Sequence, residues 1–385
     1  MSTLDPACFD PASFLRDYWQ KKPLLIRNPW KEWRNPLEPD ELAGLGCEPG
    51  IESRLISGAA DALALEHGPL PLDRFDALGT APWTLLVQAV DHHVPAVADL
   101  LLQFRFIPNW RIDDVMVSFA TTGGGVGAHF DQYDVFLVQG LGRRRWRVGG
   151  MCDETSPLLP HDSLRLLADF EPVADYVLEP GDILYVPPGI AHEGTSLGND
   201  CMTYSIGFRA PSVGELVDGW TEHLLDEAGD DDRYTDPDLT VQDNPGAIAP
   251  EALDRLHRMI TERLGDKQAF ARWFGEFTTA PKPSEIDWTP DDPFDVERVE
   301  MELASGAEIV RNSASHFAFI EEEEDAVTLF VDGTAYQCSA EAAEVARILS
   351  NCQYLGVNAT QRISSDVVAL LVILLNAGAV AIVEY

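Results

Sequence analysis

From "RIDDVMVSFA", which begins at residue 111, to "MTYSIGFRAP", which ends at 211, the chain is a succession of short β-rich runs broken by Gly and Pro turns. That rhythm is the pattern of an antiparallel barrel or a double-sheet roll. The flanks read differently. "DPASFLRDYWQKKPLLIRNPW" predicts a helix ending before Pro23 and a strand after it. "VGELVDGWTEHLLDEA" and "APEALDRLHRMITERL" have helical periodicity and are joined through the acidic "GDDDRYTDPD". A Pro-rich boundary, "TTAPKPSEIDWTPDDP", follows, and the remainder alternates strands and helices. The expected division is 1–211, with a core at 95–211, then 212–280, then 281–385. The apolar run "VVALLVILLNAGAVAIV" is interrupted by Asn376 and Gly378. It predicts a buried helix that breaks at Gly378 into a terminal strand rather than a membrane span. The run "EEEED" at 321–325 reads as a solvated loop or turn.

Within the roll, "AHFDQYDVFLVQGLGRRRWRVG" (128–149) concentrates the chemistry. If the segment is a strand, His129 and Asp131 leave the same face and can grip one ion. "GGGVGAH" puts flexible backbone just ahead of them, where a sheet must bend around a ligand. Downstream, "LEPGDILYVPPGIAHEG" returns through a Pro-Gly turn, a short apolar strand and a second turn to His192. Two imidazoles and one carboxylate form the facial triad that holds non-haem Fe(II). Zinc hydrolysis is the chemical rival, since His and Asp also bind zinc.

The arginines of "GRRRWRVG" bear on that choice. Period two puts Arg143, Arg145 and Arg147 on one face and Arg144, Trp146 and Val148 on the other, apolar face. Arg144 therefore points inward, where a guanidinium needs an anion. The partner is either a fixed Asp or Glu or a carboxylate co-substrate, for which Arg offers a bidentate fork. 2-Oxoglutarate suits both halves, its keto acid chelating iron and its distal carboxylate meeting Arg144. In "RIDDVMVSFA", Asp114, Met116 and Ser118 share a strand face. If that face lines the pocket, Ser118 can hydrogen-bond the co-substrate and Asp114 can receive a cationic side chain. The plainer alternative for Asp114 is an exposed acid at a strand end.

Charge narrows the partners. Lys and Arg number 27 against 64 Asp and Glu, a formal net charge of −37. That argues against nucleic acid or anionic membrane and fits attraction for a basic partner, though acidity for solubility alone is simpler. Six cysteines without a C-x-x-C give neither a disulfide framework nor a zinc finger, and no cationic-then-apolar leader opens the chain. A cytoplasmic protein is expected. No G-x-S-x-G or P-loop is present, and "GGGVGA" leads into a strand rather than a helix, which disfavours dinucleotide binding.

These residues resemble the two motifs of the cupin superfamily. Gly123 and His129 fit the first, with Asp131 replacing its second His; Gly181, Pro187, Gly189 and His192 fit the second, with Ser196 where Asn is usual. With the blocks "YWQKKPLLIR", "DELAGL", "LLVQAV", "WRIDD", "GGGVGAHFDQYDVF" and "YSIGFRAP", the chain resembles the bacterial JmjC-type ribosomal oxygenases over nearly its whole length. The C-terminal part agrees mainly in element order. The resemblance implies an α+β architecture: a cupin-like double-stranded β-helix (JmjC), a helical dimerisation region and a winged-helix-like C-terminal domain.

It also implies a homodimer and hydroxylation, dependent on Fe(II), 2-oxoglutarate and O2, of an arginine Cβ in a basic 50S ribosomal protein. His129, Asp131 and His192 would be the catalytic metal ligands, and Arg144 and Ser118 would bind 2-oxoglutarate. The substrate arginine would enter near Asp114, Met116 and Tyr133, with Ser205 contributing. Related oxygenases hydroxylate histidine, and the acid at Asp114 is the physical reason for expecting arginine. An acidic, catalytically silent binding module is the alternative of a different class. The intact His129, Asp131, His192 and Arg144 argue against it.

Overall fold

The computed structural model describes the chain apart from residues 1, 59–62, 80, 162, 230–231, 283–285, 356–363 and 384–385. Strands β1 (Leu24–Ile26), β2 (Ser53–Ser57), β3 (Ala64–His67) and β4 (Trp83–Val87) precede the predicted roll. The roll itself comprises β5 (Ile112–Ala120), β6 (Asp134–Leu141), β7 (Arg144–Met151) and β8 (Ala174–Leu178), then β9 (Ile183–Val186), β10 (Ile190–Ser196) and β11 (Cys201–Phe208). An eight-stranded sheet runs β1-β9-β6-β11-β5-β4-β2-β3, and a three-stranded sheet runs β10-β7-β8. Val135 and Leu137 of β6 and Leu184 and Val186 of β9 share one buried cluster with Trp146, Val148, Leu178 and Ile190 of the smaller sheet. The two sheets therefore face each other, as a double-stranded β-helix requires.

Alternation along β5 sorts its residues. Val115 and Val117 join the main core on the outer face of the large sheet, so Asp114, Met116 and Ser118 turn to the inner face. The outer core is closed by the N-terminal segment. Asp10 accepts from the Ala12 and Ser13 amides and, with Pro at the first position, starts the helix Pro11–Asp17. That helix delivers Phe14 onto Tyr185 and Phe136, with ring centroids 4.8 and 5.3 Å away.

Three helices follow the roll, one more than the sequence led us to expect. Val213–Glu227 opens on a Ser212/Glu215 capping box, and Pro250–Leu264 and Lys267–Thr279 come after it. The third helix covers the tryptophan of the first. Trp220 is buried inside the chain against Phe270 and Trp273, and its indole N–H donates to the Leu264 carbonyl at 3.3 Å. The large apolar residues left exposed are others: Val213, Val217 and Leu225 on the first helix, Leu253, Leu256, Ile260 and Leu264 on the second, and Phe277 on the third.

The C-terminal part has its own core. It is built from β12 (Glu308–Arg311), β13 (Phe317–Glu321), β14 (Val327–Val331), β15 (Thr334–Cys338), β16 (Tyr354–Leu355), β17 (Val380–Val383) and the helices Val296–Ala304, Ala340–Asn351 and Ser365–Asn376. The acidic "EEEED" makes the exposed turn from β13 to β14. The apolar helix ends as expected, with Gly378 at φ +71° leading into β17. Among the described residues no helix is long and apolar enough to cross a membrane.

Candidate functional site

His129, Asp131 and His192 converge, their ligand atoms all lying within 4.8 Å of one another. The backbone reason differs from the one alternation suggested. His129 and Asp131 lie outside any strand; β6 begins only at Asp134. The segment is instead extended alongside β10. His129 N–H donates to His192 O at 3.0 Å, His192 N–H donates to His129 O at 2.8 Å, and Gly189 N–H donates to Asp131 O at 2.7 Å. These bonds give the same-face geometry without a regular ladder.

Both rings are oriented by backbone carbonyls. His129 Nδ1 lies 3.0 Å from Gly127 O, and His192 Nδ1 lies 3.0 Å from Ile190 O. Nδ1–H donation to those carbonyls leaves each Nε2 free as a ligand, the usual support for metal-binding histidine. Gly127 can offer its carbonyl this way because it sits at φ +84°. His192 is fully enclosed, and that burial, with His129 beside it, pushes its pKa down to about 4. It is thus held in the neutral form a metal needs.

On β7, adjacent to β10, Arg144 does point inward and is only 4% exposed. Its Nε donates to the Cys201 thiol at 3.4 Å, and its guanidinium carbon sits 5.7 Å from the Trp146 ring. Its Nη2 is buried with no hydrogen-bond partner, and among the described residues no carboxylate lies within ion-pair distance. Of the two partners considered for this guanidinium, a fixed Asp or Glu is therefore excluded within the described chain. An orphaned buried cation of this kind fits a carboxylate ligand. Arg145 and Arg147, on the opposite face, are paired with Asp175 and Glu193 across the sheet and serve structure. Arg143 is exposed. Ser196, in register with Arg144, uses its hydroxyl on the Gly198 carbonyl at 2.6 Å, which makes its departure from the motif a matter of turn structure.

Ser118 is buried on the inner face of β5, directly opposite Thr203 of β11, and Met116 is opposite Ser205. β11 also pairs with β6, which sets Gln139 beside Thr203, and their side chains join at 3.2 Å. Gln139 donates to Cys201 Sγ at 3.4 Å. Gln139, Thr203 and Cys201 thus make a polar floor next to Arg144 that sequence reasoning missed. Its one signal was polar residues at inward positions of otherwise apolar strands.

Asp114 is neither an exposed strand-end acid nor a free one. It is 2% exposed, Gln88 Nε2 donates to both its oxygens at 2.9 Å, and Lys282 pairs with it directly. Burial raises its pKa, with Lys282 working the other way. Neighbouring Asp113 receives Arg209 at 3.0 Å and Lys282 at 3.0 Å. Tyr133 bridges this corner to the metal ligands: burial, followed by the carboxylates of Asp131, Asp114 and Asp113, raises its pKa well above the ordinary value. Met116, Ser205 and Tyr133 are all at least partly accessible.

Comparison with known proteins agrees with this geometry. Residues 99–216 match the JmjC domain family, residues 259–381 the ROXA-like winged helix and residues 173–265 the AraC-like ligand binding domain. The chain is 42% identical over 299 residues to the ribosomal protein uL16 3-hydroxylase of Escherichia coli, covering 77% of this chain and 79% of that protein. It is 37% identical over 283 residues to a probable ribosomal oxygenase of Haemophilus influenzae, covering 70% and 68%. The solved structure of YcfD, an E. coli ribosomal oxygenase in complex with cobalt and 2-oxoglutarate, aligns with a TM-score of 0.86 at 35% identity over 100% of both chains.

Proposed function

The chain belongs to the JmjC ribosomal oxygenases, and from that membership we propose that it hydroxylates an arginine, at Cβ, in a basic protein of the large ribosomal subunit. The co-substrates are 2-oxoglutarate and O2, and the metal is Fe(II). The observation that carries this reading is the buried, partnerless Nη2 of Arg144 one strand away from the His129, Asp131 and His192 cluster. The donor set of two imidazoles and a carboxylate suits a metal that must keep open coordination positions. Bound Fe(II) would supply the oxidising chemistry that puts one oxygen atom of O2 into a C–H bond and the other into succinate.

The protein's own residues do the rest. Arg144 grips the distal carboxylate of 2-oxoglutarate, with Ser118 beside it, and thereby aims the keto acid at the metal ligands. The dry walls of Trp146, Val148 and Ile190 exclude water from that contact. Asp114 receives the substrate guanidinium, Met116 and Tyr133 flank its methylene chain, and Ser205 completes the rim. Residues 1–211 would be the catalytic part, 212–280 the helical part and 281–385 the winged-helix-like part. A second copy of the chain would cover the exposed Leu253, Leu256, Ile260 and Leu264, giving a homodimer. A ribosomal-protein substrate places the work in the cytoplasm, and the charge of −37 supplies long-range attraction for it.

The test is incubation of the purified protein with Fe(II), 2-oxoglutarate and large-subunit ribosomal proteins, read by peptide mass spectrometry. One oxygen gained on an arginine, with stoichiometric succinate, is the expected result. Oxygen gained on a histidine, or no modification at all, would overturn the substrate assignment.

A further inference from the structure

We propose that Lys282 is a built-in competitor for the substrate cation: its ammonium occupies the Asp113–Asp114 carboxylates until an incoming guanidinium displaces it. The proposal rests on the reading that Asp114 receives the substrate arginine. Lys282 stands just after the helix Lys267–Thr279, outside any helix or strand, between Pro281 and Pro283 in the sequence. Its Nζ lies 3.0 Å from Asp113 and in direct contact with Asp114. The Asp114 side chain is 3% exposed while that of Lys282 is 35% exposed, so the cation has a way out to solvent and the anion does not.

Charge balance makes the contact exclusive. Asp113 and Asp114 face two cations, Lys282 and Arg209. Arg54, which donates to Gln88 Oε1 at 3.4 Å and lies 3.9 Å from Met116 Sδ, is balanced by Glu52 at 3.8 Å and adds no net charge. The nearby buried Asp91, His92 and His316 are held mainly in their neutral forms. Asp91, whose carboxylate accepts the Val115 amide at 2.8 Å, is pushed up to about 8 by burial and by Asp114. Burial holds His92 down to about 4 and His316 down to about 3. A third cation entering without a departure would leave an uncompensated positive charge in a partly buried place. Exchange keeps the corner neutral and favours guanidinium, whose planar fork fits a carboxylate better than an ammonium point charge.

Two consequences follow for the reaction. A competitor in place about nine-tenths of the time raises the apparent dissociation constant of an arginine substrate about tenfold. A neutral side chain cannot evict Lys282 at all, which sharpens the choice of arginine over histidine or asparagine. Lys282 acts as a specificity-determining residue, and it ties the pocket to the chain segment that leads into the C-terminal strands.

The experiment uses the full chain at neutral pH. Lys282→Met keeps the side chain's length and removes its charge; the KM for an arginine peptide should fall roughly 3–10-fold, with kcat not reduced. An unchanged or higher KM overturns the proposal. A second measurement needs no variant. Wild-type protein is treated briefly with acetic anhydride with and without saturating arginine peptide, in the absence of 2-oxoglutarate, and Lys282 acetylation is read by mass spectrometry. Displacement predicts faster labelling with peptide; equal or slower labelling overturns the proposal. Asp114→Asn separates this idea from the one beneath it. A raised KM in Asp114→Asn with no change in Lys282→Met sinks the competitor alone, whereas no change in either sinks the pocket assignment and the competitor with it.

Discussion

Two buried charged corners of the roll differ in who supplies the counter-charge. Arg144 has a thiol, an aromatic ring and an unfilled Nη2, but no acid among the described residues. Asp114 has Gln88 and Lys282 filling its carboxylate. A buried ion left unpaired by the chain is costly and is tolerated where a ligand completes it. The Arg144 corner is therefore built to be finished by a small anion that enters on every cycle. The Asp114 corner is already complete, so a substrate must exchange with it rather than fill it.

The largest effect should come from the point where the two corners meet. His129→Ala or Asp131→Ala removes one of three protein ligands and should reduce succinate formation below detection, with the melting temperature little changed. Full activity at low added iron in either variant would break the assignment. Asp114→Asn keeps the shape and removes the charge; it should raise the KM for an arginine peptide roughly tenfold, the scale of one charge-assisted hydrogen bond. The same KM should rise with added salt, since the attraction of an acidic surface is screened.

The helices offer a parallel contrast. Trp220 is satisfied within the chain, so Trp220→Ala should cost about 3 kcal/mol or more of stability, seen as a lowered melting temperature. Leu256 and Ile260 are exposed, so the double change Leu256→Glu and Ile260→Glu should leave that temperature nearly unchanged. It should convert a dimer to a monomer in light scattering at micromolar concentration. A monomeric wild type would count against the homodimer. The smallest effect belongs to Arg145→Ala, which breaks only an exposed pair with Asp175 and should shift neither stability nor turnover measurably.

How much of this could be read from the sequence follows the range of the interactions. Alternation over Arg144, Trp146 and Val148 placed one guanidinium inside and its neighbours outside, because a strand's period is local. The His129, Asp131 and His192 set was legible from motif spacing, although the strand assumed for the first two was not. Gly127 at φ +84° and the bonds to β10 hold that segment extended just short of a ladder. The helix Lys267–Thr279 went unread, and with it the cover over Trp220. Lys282 was invisible for a plainer reason: it lies 168 residues from Asp114 along the chain, and no periodicity joins them. The same holds for Gln88, which comes from the end of β4.

The contrast between the two corners can be measured without any turnover. Calorimetric titration of 2-oxoglutarate into metal-loaded wild type, Arg144→Ala and Asp114→Asn under anaerobic conditions compares them directly. Arg144→Ala should weaken binding roughly 10–100-fold, about 1.5–3 kcal/mol for a lost charge-assisted contact, while Asp114→Asn should bind as wild type does. Wild-type affinity in Arg144→Ala, or equal losses in both variants, would contradict the claim that the orphaned guanidinium is the co-substrate's anchor.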